Sequence, residues 1–124
     1  MERFLIVCGA GGLGCGTRYL ISRWANTEAF PFGTLIVNIV GSFVIAVVAD
    51  LALRKVASGW LTQNVALGIT TGFLGGLTTY SAFNYESTKL LFGDQPMRGV
   101  LDVAVTLAAC FGAGLLGLWV ARRF

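Results

Sequence analysis

Charged residues divide the chain into long apolar runs. Phe4 to Thr17, Ala29 to Ala49, Val56 to Tyr85 and Val103 to Ala121 carry no charge at all. A helix needs ~20 apolar residues to cross the ~30 Å hydrocarbon layer of a bilayer. The second and fourth runs fit that length. The first, at 14 residues, reaches it by extending to Trp24 if protein shelters Arg18. The third is 30 residues long, and a straight helix of that length spans ~45 Å at 1.5 Å per residue. It must tilt, break, or begin in an interfacial turn around Ser58-Gly59-Trp60. The pattern therefore predicts an all-α integral membrane protein. One four-span domain covers residues 1–124, with crossings at about 4–24, 33–54, 61–92 and 98–121.

Composition supports this reading. Hydrophobic residues make up 56% of the chain and charged residues 12%, too few for the charged skin of a soluble domain. The net charge of +3 is scattered, with no basic stripe, so nucleic acid is not an expected partner. Cys8, Cys15 and Cys110 all lie in apolar runs, an odd set that argues against a disulfide framework. Without histidine or Cys-x-x-Cys there is no zinc ligand set.

The opening segment, "MERFLIVCGAGGLGCGTRYL", has a three-residue n-region of mixed charge and no small-residue cleavage site before a polar chain. It reads as the first crossing and not as a signal peptide. It also carries G-x-G-x-x-G at Gly9, Gly11 and Gly14, with Glu28 at a suitable distance. A dinucleotide site would need a second strand leading to that acid, and "SRWANTEAFPFG" is a polar turn. The preferred reading is packing: Gly9, Gly12 and Gly16 share a helical face that lets a neighbouring backbone approach.

Basic residues mark the cytoplasmic side. With four spans, five of them (Arg3, Arg54, Lys55, Arg122, Arg123) share the side of the termini. Four (Arg18, Arg23, Lys89, Arg98) lie on the other. So small a bias leaves two readings, a weakly marked fixed orientation or insertion both ways. The second would permit an antiparallel dimer.

Several polar residues lie where lipid makes them costly. Asn38, in "GTLIVNIVGSF", needs a partner or water; helix–helix glue is the plain alternative. Gly41 lies on a similar face. Arg18 either meets protein or snorkels to the headgroups between Tyr19 and Trp24. Asp50 and Asp102 sit near the ends of apolar runs, where interfacial solvation is expected. Thr106 and Cys110 follow Asp102 at steps of four, giving a weakly polar stripe or a threonine bonded to its own helix.

The densest anomaly is "GFLGGLTTYSAFNYE". Gly72, Gly75 and Gly76 weaken a helix, and Thr78, Thr79 and Ser81 compete for backbone bonds. Together they predict a third helix broken near mid-membrane, where freed carbonyls bind cations. A glycine-kinked helix with back-bonded hydroxyls is the alternative. Beyond the break, Tyr80, Phe83 and Glu86 recur every three residues on one face.

These features resemble the Fluc/CrcB fluoride channels of microbial membranes. The resemblance rests on the glycine-rich first span ending in Arg18-Tyr19, on "GTLIVNIVG" and on "GFLGGLTTYSAFNYE", and it covers essentially the whole chain. It implies a non-enzymatic, passive fluoride exporter of the inner (plasma) membrane, built as an antiparallel dual-topology homodimer with two pores. It further implies a structural sodium ion (Na+) at the dimer axis, held by the backbone carbonyls of Gly75 and Thr78. Asn38, Tyr80, Ser81, Phe83, Glu86 and, by ungapped counting, Thr106 fall along the ion pathway, with Arg18 and Gly41 beside it. The family more often has phenylalanine at position 80, a hydroxyl residue at 82 and tyrosine at 102, where this chain has Tyr80, Ala82 and Asp102. Asn38 amide hydrogens, hydroxyls and aromatic edges suit an anion that must exchange water for other donors.

Two other classes remain to be weighed. A small dual-topology multidrug or cation antiporter depends on a carboxylate in the first span, and none lies between Arg3 and Glu28. A structural subunit of a membrane complex would use the same polar groups as glue alone.

Overall fold

A computed structural model describes residues 1–55 and 62–124. All its regular elements are helices: α1 (Glu2–Ala25), α2 (Phe32–Lys55), α3 (Gln63–Leu67), a π-helical stretch (Gly68–Leu74), α4 (Gly75–Leu77), α5 (Tyr80–Leu91) and α6 (Pro96–Ala121). Helices α1, α2 and α6 are each long and apolar enough to cross a membrane. The third crossing is assembled from α3, the π-helical stretch, α4 and α5, and it is broken, as its glycines and hydroxyls predict. The expected turn at Ser58-Gly59-Trp60 lies outside the described residues.

The two ends of the bundle are tied by different polar groups. At one end, Arg3 donates to Asn64 Oδ1 at 3.2 Å and to Gln63 Oε1 at 3.1 Å, joining α1 to α3. There too, Arg54 pairs with Asp50 and caps the Ala121 carbonyl, joining α2 to α6. At the other end, Asn26 Oδ1 accepts from the backbone N–H groups of Gly33 (2.7 Å) and Thr34 (3.2 Å). These are orphan donors in the first turn of α2, which this asparagine caps from across the turn. Pro96 opens α6, where its missing N–H leaves no bond unmade.

Between these ends, α2 lies along α6, α5 packs on α6, and α1 packs on the π-helical stretch and α4. Lipid is as apolar as a leucine side chain, so close van der Waals contact has to hold the helices together. Gly14 provides it. A Cβ there would lie 2.0 Å from the Phe73 carbonyl oxygen and 2.9 Å from the Leu77 nitrogen. This corrects the expected packing face: a Cβ on Gly9, Gly12 or Gly16 meets nothing within 4 Å. Inside the subunit α1 turns its Gly11 and Gly14 side to the broken crossing, and Gly9, Gly12 and Gly16 face outward. Large apolar side chains such as Phe4, Leu13, Leu107 and Phe111 are exposed on α1 and α6, as lipid or a second membrane protein requires.

Candidate functional site

The break falls at Thr78 and Thr79, whose backbones are extended (φ −79°, ψ 153° and φ −154°, ψ 117°) between α4 and α5. It is level with Asn38 and Gly41, about 9–14 Å from the start of α2 at 1.5 Å per residue. Asn38 closes it from the side. Its Oδ1 accepts from the Thr79 N–H at 2.8 Å, and its Nδ2 donates to the Thr79 carbonyl at 3.1 Å. The glue reading of Asn38 is therefore correct as far as it goes, but what it holds is the break itself. Gly41 makes room, since a Cβ there would fall 2.0 Å from Thr78 Cγ2.

The remaining groups at the break are distributed with equal economy. Thr79 caps α5 by accepting from the Ala82 N–H at 3.2 Å, and its hydroxyl lies 3.2 Å from Ser81 Oγ. Arg18 Nε donates to the Gly76 carbonyl at 3.2 Å, so this arginine meets protein and does not simply snorkel. Thr78 Oγ1 back-bonds to the Leu74 carbonyl at 2.9 Å. The break and the back-bonding that seemed to be alternatives thus coexist. An unbroken helix would direct the Thr79 and Ala82 N–H groups to the carbonyls of Gly75 and Thr78. Here both N–H groups go to side chains.

A cleft of about 460 Å³ opens beside the break, lined by Asn38, Ser42, Thr78, Thr79, Tyr80 and Phe83, with Thr106, Cys110 and neighbours on α6. The rings of Tyr80 and Phe83 are 5.9 Å apart and tilted by 59°. Phe83 is buried and Tyr80 is 75% exposed. Ser81 stands at the edge of this group and is not among the residues lining the cleft. Glu86 is farther along α5, in a second, more polar cleft with Tyr85, Lys89 and the Asn26–Pro31 turn. Asn26 Nδ2 donates to Glu86 Oε1 at 3.0 Å, and Glu86 Oε2 is buried without a hydrogen-bond partner among the described residues.

Asp102 departs from expectation. It is 1% exposed and shut away from solvent, because α5 covers it. Ser87 Oγ donates to its Oδ2 at 2.7 Å and Thr106 Oγ1 to its Oδ1 at 3.3 Å. Thr106 therefore bonds to a side chain, not to its own backbone. Sequence reasoning also passed over Asn26, which joins three elements. Lying inside a polar turn, it gives no signal that Glu86, 60 residues away, is its partner.

The family described as "CrcB-like protein, Camphor Resistance (CrcB)" has a model that matches residues 5–118. The chain belongs to the CrcB family. Among its CrcB relatives, the protein named "Fluoride-specific ion channel FluC" from Trichlorobacter lovleyi is 40% identical over 120 residues, covering 94% of this chain and 91% of the relative. The proteins of the same name from Geobacter metallireducens and Sorangium cellulosum are 38% identical over 116 residues and 37% identical over 126 residues. Coverage is 91% of both chains in the first case, and 99% of this chain and 97% of the relative in the second. CrcB membership and three helices of membrane length make the chain a multi-pass protein of the inner membrane.

Proposed function

We propose that the chain is a fluoride channel that lets toxic fluoride leave the cell passively. The observation that carries this reading is the N-terminus of α5, released inside the bilayer by the break and opening on the cleft. The positive end of a helix dipole favours an anion. Around it stand the second amide hydrogen of Asn38, the hydroxyls of Tyr80 and Ser81 and the edge of the Phe83 ring. These suit a small, tightly hydrated ion that must exchange water for several modest donors and still be able to leave. Glu86 and Arg18 flank this route. The names of the relatives point to the same ion. The test is growth. A bacterial strain stripped of fluoride export should regain growth in fluoride when it expresses this chain. Continued sensitivity with the protein present in the membrane would contradict the reading.

The working unit in this proposal is an antiparallel, dual-topology homodimer with two pores. Its support is the near-equal count of basic residues on the two sides and the exposed apolar faces of α1 and α6. A sodium ion at the dimer axis fits the same picture. Gly75 and Thr78 are the first and last of the four residues whose carbonyls lose their helical donors at the break, and Gly75 is exposed on the single subunit. Carbonyl oxygens are the ligands a hard cation takes, and two from each subunit would form a cage. The ion would supply a fixed positive field and join the subunits. Purification with a bulky organic cation in place of sodium should shift the protein from dimer to monomer on size exclusion. An unchanged dimer would count against the site.

A further inference from the structure

Asn26 follows the last residue of α1, and every hydrogen-bonding position of its side-chain amide is taken. Oδ1 accepts from the backbone N–H groups of Gly33 and Thr34. Nδ2 donates to Glu86 Oε1 at 3.0 Å and to Thr34 Oγ1 at 3.4 Å. An amide has two acceptor lone pairs and two donor hydrogens, so nothing is left over. Its orientation is fixed as well. Backbone N–H groups can only donate, so the oxygen must face α2 and the nitrogen must face Glu86. That nitrogen cannot accept, so Oε1 is the acceptor whether or not the carboxyl carries a proton. The turn behind the amide is tied down too. The Thr27 N–H donates to the Phe30 carbonyl at 3.1 Å, and the Thr27 hydroxyl bonds the Phe30 carbonyl and N–H, both at 3.0 Å.

Glu86 lies one turn beyond Phe83 on α5. Its Oε1 is held by Asn26, and its Oε2 is buried without a hydrogen-bond partner among the described residues. From this geometry we infer that Asn26 is a positioning residue for transport: it holds the Glu86 carboxyl against the α1–α2 turn and keeps its oxygen lone pairs out of the ion's way. The inference rests on the fluoride reading. Released, the long side chain would swing its acceptor oxygens toward the donors that the ion needs, and would compete with the ion for them. Only an amide serves both purposes here, since capping α2 takes an acceptor and holding Glu86 takes a donor.

The test joins fluoride efflux from liposomes with chemical labelling of Glu86. Asn26→Asp keeps the oxygen that caps α2, a role aspartate fills as well as asparagine, and loses the donor to Glu86. Assembly and melting temperature should stay near those of the unmodified protein. Initial efflux should fall about three- to tenfold, the factor that one ordinary hydrogen bond supplies. The aspartate also adds a charge, which a second background separates. In Glu86→Gln the introduced amide donates to the introduced carboxylate, so the bond returns with its ends exchanged while the charge stays. Asn26→Asp should cost less than about twofold there. A water-soluble carbodiimide with an amine, read by mass spectrometry, should label Glu86 sparingly in the unmodified protein and severalfold faster in Asn26→Asp. Unchanged or faster efflux, an equal loss in both backgrounds, equal labelling with and without the tether, or failure of Asn26→Asp to assemble each overturns the inference. Absence of efflux from the unmodified protein is a separate failure, that of the fluoride reading, and the labelling still reports on the tether.

Discussion

Asn38→Ala is expected to abolish fluoride efflux and to lower the stability of the folded protein by about 1–3 kcal/mol, the range for a polar group left without its partner inside a membrane. Both effects have the same origin. The Asn38 amide is bonded twice to Thr79, at 2.8 and 3.1 Å, and its Oδ1 is the acceptor of the Thr79 N–H that an unbroken helix would send to Gly75. Without it the Thr79 N–H must find a new partner, and the direct route is to continue the helix from α4 into α5. That would withdraw the helix N-terminus from the cleft. Asn38→Asp separates the two roles: it keeps an acceptor for the Thr79 N–H but loses the donor and adds a negative charge beside the anion. It should retain part of the stability and conduct no fluoride. Thermal unfolding in detergent and an efflux assay read the two quantities, and normal efflux through Asn38→Ala would remove this residue from the pathway.

Gly14→Ala is expected to be nearly as damaging, from the opposite side of the break. The added methyl would sit 2.0 Å from the Phe73 carbonyl oxygen, and a backbone atom cannot swing aside as a side-chain tip can. Helix α1 would have to back away from the π-helical stretch, breaking contacts along their shared face and lengthening the 3.2 Å bond from Arg18 to the Gly76 carbonyl. Overpacking of this kind typically costs about 1–3 kcal/mol and sometimes more, and the backbone contact puts this site at the upper end. The yield of monodisperse protein and its melting temperature should both fall; wild-type values for both would contradict the close approach.

Much of this architecture was legible because the bilayer imposes simple rules. Long uncharged runs gave three crossings nearly to their ends, and Gly75, Gly76, Thr78 and Thr79 marked the break in the other. Glycine lowers the helix's stability, and threonine offers its backbone another partner. The glycine face of α1 was not legible for a related physical reason. Gly9, Gly12 and Gly16 form one face and Gly11 and Gly14 another, and in lipid no hydrophobic contrast says which side packs inward. Asp102 was misread because its distance from the end of an apolar run says nothing about what covers it. Only the packing of α5 on α6, through Ser87, encloses it. Asn26 was invisible for the same reason: its partners, Gly33, Thr34 and Glu86, are brought together by tertiary structure.

The central claim is that the helix end freed at Thr79 makes a selective path for fluoride. Liposomes containing only this purified protein, loaded with equal fluoride and chloride and followed with two ion-selective electrodes, test it directly. When a potassium ionophore balances the charge, fluoride should leave while chloride stays until detergent is added. Release of both ions together, or retention of fluoride by vesicles that demonstrably contain the protein, would contradict the account.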